Sequence, residues 1–140
     1  MDTNTELELI IALSRTATAL VRDVDHGLSS HHGLGLNDLG LLLELASAPD
    51  GKMRRSELAE RLGVTPSGVA RQLGPLERIG VVDRESNPKD ARLALVVLTK
   101  AGRQLTKDAA VTAQEAAERV LNKRWSMKDQ LALGTLLGGD

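Results

Sequence analysis

Apolar residues return every three or four positions between residues 6 and 28: Leu7, Ile10, Leu13, Ala17, Leu20, Val24 and Leu28, with Ile11 and Val21 widening the stripe. That period predicts one amphipathic helix. The tract Gly27-Leu28-Ser29-Ser30-His31-His32-Gly33-Leu34-Gly35 predicts its break. Asn37 suits the N-cap of a second helix reaching about Ala48, with Leu39, Leu41, Leu42, Leu43 and Leu45 along it. Pro49-Asp50-Gly51 then closes that helix. A short helix over 56–62 ends at Gly63, and Thr65 caps the next with Pro66 at its first position, where a missing N–H does no harm. That helix is expected to bury Val69, Leu73, Leu76 and Ile79 and to end near Gly80. Gly74-Pro75 interrupts it, and two helices split at 74 or one bent helix would both explain the proline. The apolar stripe stays in phase across Pro75, which favours the bent helix. Further on, Thr99 caps an Ala-rich helix over about 100–123, with Leu105, Ala109, Ala113, Ala116, Val120 and Leu121 on one side. Ser126 with Asp129 opens a last helix bearing Leu131, Leu133, Leu136 and Leu137.

Composition narrows this to a mainly α fold with a small β element. The one aromatic residue is Trp125, so the core is built from Leu, Val, Ile and Ala, which suits helix packing better than a β-sandwich. Trp125 itself reads as a packing anchor between the last two helices. There is no cysteine, which excludes disulfides and Cys-ligated zinc. No apolar run approaches the ~20 residues of a membrane span, and the acidic, polar N-terminus does not resemble a secretory signal. The expectation is a soluble cytoplasmic protein with no membrane partner. The 140 residues suit a single domain over 1–140.

The net charge of −1 conceals an uneven distribution. Residues 51–100 hold ten Lys and Arg against six Asp and Glu, a net +4, and the remainder is −5. Phosphate attraction is local, so a basic middle with acidic flanks is compatible with DNA binding, although a mixed solvated surface would show the same totals.

Two helices crossing steeply need a small residue at their contact and a turn residue free to take a positive φ. Ala59 and Gly63 supply these, and Val64 and Val69 are expected to pin the second helix to the first. An ordinary αα-hairpin would also use Ala-x-x-x-Gly. What favours a helix-turn-helix is the capped Thr65-Pro66 start, followed by a charged turn, Asn87-Pro88-Lys89-Asp90-Ala91-Arg92, between two β-prone runs. A charged hairpin there is a wing, and the fold expected over about 37–99 is a winged helix. Its second helix would offer Thr65, Ser67, Gly68, Ala70, Arg71 and Gln72 to the major groove of double-stranded DNA. Arg71 could bind guanine bidentately or only neutralise a phosphate, and Gln72 could pair with adenine. Gly68 and Ala70 would let the helix approach the bases closely.

With the hairpin in place the chain resembles the MarR family of winged-helix regulators. The matching stretches are residues 56–65, residues 69–71 through 76–84, and Asp90-Ala91-Arg92 through Leu98-Thr99-Lys100-Ala101-Gly102. The resemblance covers about residues 6–137. It implies a homodimer in which helices over about 6–28 and 100–137 interlock and present two winged helices to a pseudo-palindromic operator. It implies a transcriptional repressor modulated by a small-molecule effector, bound between the dimerisation helices and the winged helix. It also places Asp90 to orient Arg92 into a minor groove, where narrow A·T-rich DNA concentrates negative potential, with Lys89 on a phosphate. The alternative for Asp90 and Arg92 is a pair that merely holds the wing together. The chain departs from the family at Ala91, where a second Arg is common, and at Gln72, where an apolar residue is frequent. It also lacks the aromatic residues that often line the family's effector pocket.

A winged-helix protein-interaction module without DNA binding is the competing function, and retention of Arg71, Lys89 and Arg92 argues against it. No nucleophile–base pair, Gly-rich phosphate loop or paired-acid motif suggests an enzyme. No cofactor is implied. His26, His31 and His32 with Asp23 and Asp25 could be written as a metal site, but they lack a helical i, i+4 His pair and read better as solvated loop histidines.

Overall fold

The computed structural model describes residues 4–138. Met1–Thr3, the very start of the acidic N-terminus, and the last two residues of the 140 lie outside the described residues. Two compact units can be told apart: the described parts of Met1–Gly33 with Thr112–Asp140, and Leu34–Val111.

In the first unit, α1 spans Thr5–His32. The predicted break at Gly27 does not occur. The Ser and His side chains fold back on the helix: Ser29 Oγ donates to Asp25 O at 2.8 Å, Ser30 Oγ donates to Gly27 O at 3.1 Å, and His31 Nδ1 lies 2.9 Å from Gly27 O. The helix stops only at Gly33, whose φ of 69° suits glycine. His32 Nε2 and Thr112 Oγ1 share a hydrogen bond of 2.8 Å, tying the end of α1 to α5, which spans Lys100–Arg124. Val24, Leu28, Ala113 and Ala116 are buried. Ser126 Oγ accepts the Asp129 N–H and opens α6, Met127–Leu136. Gln130 Nε2 donates to Asn122 Oδ1 and to Trp125 O, so α6 is fastened to the end of α5 beside the half-buried Trp125.

In the second unit, α2 spans Leu36–Ser47. Its N-cap is Gly35 rather than Asn37: Asp38, in the first turn, accepts the Gly35 N–H at 3.1 Å. Leu39, Leu41, Leu42 and Leu45 are fully buried, whereas Leu43 of the expected stripe is 46% exposed. A tight turn, Pro49–Gly51, leads into β1 (Lys52–Arg54). Then come α3 (Arg55–Leu62), α4 (Pro66–Arg78), β2 (Val82–Glu85) and β3 (Leu95–Leu98). The three strands form one antiparallel sheet in the order β1-β3-β2, with Met53 opposite Val96 and Val82 opposite Leu98. Met53, Val82, Val96 and Leu98 are buried with Leu58, Val69, Leu73 and Leu76, so one face of the sheet and the inner stripes of α3 and α4 belong to the core.

The α3–α4 turn is fixed locally. Gly63 takes φ 69°, its N–H donates to Glu60 O, and the Val64 N–H donates to Ala59 O, a glycine-dependent helix ending. Val64 does not pin the helices, being 46% exposed; Ala59 and Val69 are buried. The helix α4 runs unbroken through Gly74-Pro75, so the split reading is excluded. Its stripe of Val69, Leu73 and Leu76 is buried, and this packing offsets the bond the proline deletes. Ile79, expected in that stripe, is 60% exposed because the helix has already ended at Arg78.

Candidate nucleic-acid interface

Helix α4 starts with a cap that leaves its outer face clear. Thr65 Oγ1 accepts the Gly68 N–H at 3.0 Å and lies 3.2 Å from Ser67 Oγ. A Cβ on residue 68 would sit 3.1 Å from that same Oγ1, so glycine there keeps the cap unstrained. Thr65, Ser67, Ala70 and Arg71 are exposed, and Gly68 is half-buried. Among the described residues Arg71 has no hydrogen-bond or ion-pair partner, so its guanidinium is free to meet an anion. Gln72 differs: it is half-buried, and its Nε2 reaches Asp38 Oδ1 on α2 at 3.4 Å. The structure thus brings Thr65, Ser67, Gly68, Ala70 and Arg71 onto one accessible surface and turns Gln72 toward the unit's interior.

The wing is organised by its own side chains. Asn87 Oδ1 accepts the Lys89 N–H at 2.9 Å, closing the turn around Pro88. Asp90 Oδ1 accepts both the Arg92 backbone N–H at 2.9 Å and Arg92 Nε at 3.0 Å, while Oδ2 accepts Nη2 at 3.0 Å. Arg92 remains 90% exposed along its side chain against 29% for Asp90. The Arg92 guanidinium, and after it the Arg92 N–H, holds the Asp90 carboxyl below its ordinary range, and Asp90 raises Arg92 in turn. Lys89 and Ala91 are exposed at the tip.

The wing's base is closed by Thr99. Its N–H donates to Val81 O, its Oγ1 donates to Gly80 O at 2.7 Å, and the same Oγ1 accepts the Gly102 N–H at 3.0 Å. Thr99 therefore caps α5, as its position in the sequence predicts, and also bolts both ends of the hairpin together.

Between α3, α4 and the wing runs a groove of about 690 Å³ whose walls include Arg55, Pro66, Glu77, Arg84 and Arg92. Arg55 and Arg84 are additions to the residues expected from sequence. Arg84 Nε donates to Glu77 Oε1 at 2.8 Å, which raises the Arg84 pKa and docks one edge of the guanidinium on α4. Their signal in the sequence was only their share of the local positive charge. On the opposite edge, Lys52 Nζ lies 2.7 Å from Glu85, joining β1 to β2 across β3.

Among the described residues no three His, Cys, Asp or Glu side chains come together as metal ligands. No described helix is long and apolar enough to cross a membrane.

A sequence profile of the MarR family matches residues 32–93. The HTH-type transcriptional regulator YxaD of Bacillus subtilis is 37% identical over 87 residues, 62% of this chain and 60% of its own length. The chain thus spans under two thirds of that relative. The HTH-type transcriptional regulator ML2140 of Mycobacterium leprae is 34% identical over 99 residues, covering 70% of this chain and 68% of its own. Sco3205, a MarR family transcriptional regulator from Streptomyces coelicolor solved in complex with DNA, superposes with a TM-score of 0.83 at 28% identity, over 98% of this chain and 86% of that one. All three relatives are transcriptional regulators.

Proposed function

The chain belongs to the MarR family of transcriptional regulators, and from that we propose that it is a homodimeric repressor, acting on a pseudo-palindromic operator and released by a small-molecule effector. Each protomer places the start of α4 in the major groove and Arg92 in the flanking minor groove. The observation that carries this reading is the pair Asp90–Arg92: a side chain 90% exposed whose guanidinium is nonetheless held by two hydrogen bonds, with a third from its backbone N–H. A pair meant only to hold the wing together would have no need to leave the Arg side chain almost wholly exposed. The outer face of α4, with Arg71 unpartnered, supports the same reading. The homodimer is supported by Leu7, Leu9, Ile10 and Leu13 on α1 and Leu131, Leu136 and Leu137 at α6, all between 47% and 82% exposed. An apolar face of that kind is ordinarily covered by a partner.

Selection of duplexes from a random pool tests the proposal. The expected product is an inverted repeat with A·T-rich flanks, bound with an affinity that falls steeply as salt rises, by a slope of about −0.9 per phosphate contacted. A pool that shows no enriched motif, with residual binding indifferent to salt, removes the DNA-reading function.

A further inference from the structure

A second concentration of positive charge lies within the unit formed by α1 and the later half of α5. Asp23 and His26 stand on one face of α1, a turn apart. Across from them α5 presents Arg119 and Lys123, again one turn apart, with Arg124 beside Lys123. These groups surround an open cavity of about 440 Å³, with Val120 as its apolar wall. That volume is within the range of small-molecule sites.

Three features set this cluster apart from an ordinary solvated helix face. Among the described residues the ion pairs join Lys52 to Glu85, Arg61 to Glu44 and Glu57, Arg84 to Glu77, and Arg92 to Asp90. Arg119 and Lys123 therefore have no acid partner, although Asp23 lines the same cavity. Like charges at i, i+4 destabilise a helix, and the negative end of the helix dipole offsets this only in the last turn, where Lys123 and Arg124 sit. Arg119 lies further in and gains nothing from it. Finally, the α1 wall facing Arg119 is Gly27: a Cβ there would meet Arg119 Nη2 at 3.9 Å, so the guanidinium lies against helix backbone at the cavity's edge.

The three cations and one carboxylate that line the cavity sum to a charge of +2. We propose that this cavity binds a small dianion, a phosphate or dicarboxylate group, between Arg119 and Lys123. Arg124 stands at the rim, partly occupied by its stacking 5.8 Å over the Trp125 ring. The proposal does not depend on DNA binding.

Calorimetric titration of the full chain, without DNA and at constant ionic strength, tests it with inorganic phosphate and succinate as probes and chloride as reference. One saturable site per chain is expected, and the stronger of the two probes identifies the head group. The double change Arg119→Gln, Lys123→Gln is expected to weaken binding at least about tenfold, a loss of roughly one hydrogen-bonded charge. Asp23→Asn, which removes the carboxylate lining the cavity, is expected to tighten it. All three side chains are exposed, so folding is retained, and thermal melts verify this. Arg71→Ala with Arg92→Ala is expected to leave the titration unchanged. The proposal is overturned by no saturable heat with either probe, by binding indifferent to Arg119, Lys123 and Asp23, or by binding that vanishes with Arg71 and Arg92.

Discussion

Asp90 and Arg92 are joined by three hydrogen bonds of 2.9, 3.0 and 3.0 Å, one from backbone and two from the guanidinium. The two-residue spacing lets one carboxylate hold both the turn and the side chain it aims. Arg92→Ala is expected to weaken operator binding by roughly tenfold or more, most at A·T-rich flanks. Asp90→Ala leaves the positive charge in place but frees its direction, so affinity should fall less, and discrimination between A·T-rich and G·C-rich flanks should fall with it. Fluorescence anisotropy on duplexes differing only in the flanks separates the two. Equal loss on all flanks would reduce Arg92 to a phosphate contact.

The same pair makes a prediction in pH. Asp90 has a folded-state pKa below its unfolded value, chiefly because of the Arg92 guanidinium. A depressed carboxylate contributes above its unfolded pKa, about 4, and loses that contribution only as pH falls through the lower folded value. The order of the wing should therefore be constant from about pH 8 down to about pH 4. Amide chemical shifts of Lys89–Arg92 that moved together near pH 5 or 6 would contradict the pairing.

Arg71 and Gln72 are neighbours in sequence but not in role. Arg71 is exposed and unpartnered; Gln72 is half-buried and reaches Asp38. Arg71→Ala should relax base preference in the centre of each half-site, with a loss of roughly tenfold or more if the contact is bidentate to guanine. If Arg71 only meets a phosphate, the loss will instead be uniform across sequences and the salt slope will drop by about one. Gln72→Ala should leave base preference nearly unchanged, and repeating the duplex selection with that variant measures it.

Gly102 stands where α5 crosses the base of the wing. A Cβ there would overlap Val81 O and come within 2.8 Å of Leu98 Cδ1. Because Val81 O also accepts the Thr99 N–H, it cannot retreat without opening the hairpin. Gly102→Ala is expected to destabilise the fold by about 3 kcal/mol, the upper part of the range for overpacking, read from denaturant unfolding. Gly40→Ala, inside α2 where a Cβ meets nothing within 4 Å, is the matched control and should be neutral or stabilising.

Residues whose partners are close in sequence were the legible ones. Gly63, Thr65-Pro66, Thr99 and Ser126 each act within a few positions, and Asp90 acts on a residue two away. What escaped depends on distant partners. The three-residue strand β1 has no alternation of its own and exists because Met53 pairs with Val96, over forty positions on. Gln72 reads as an open side chain in the sequence because Asp38 lies 34 positions away, and Arg84 gives no local signal because its brace, Glu77, belongs to another element. The tract at Gly27–Gly35 looked like a loop because its Ser and His side chains were counted as turn formers, when in place they bond back to their own helix.

Helix α1 presents an exposed apolar face. Ile10 and Leu13 are 63% and 47% exposed, so replacing them removes nothing from the protomer's own core. Ile10→Asp with Leu13→Asp should leave the helix content unchanged and yield a monomer in sedimentation, because a buried unpaired carboxylate is not tolerated at an apolar interface. Operator affinity should then collapse to that of one half-site, since the second contact is no longer intramolecular; the loss expected from that alone is on the order of a hundredfold or more. The variant should still bind an isolated half-site as the wild-type chain does. A dimer that persists despite both carboxylates would place the interface elsewhere, and a monomer that keeps full operator affinity would sever dimerisation from DNA reading.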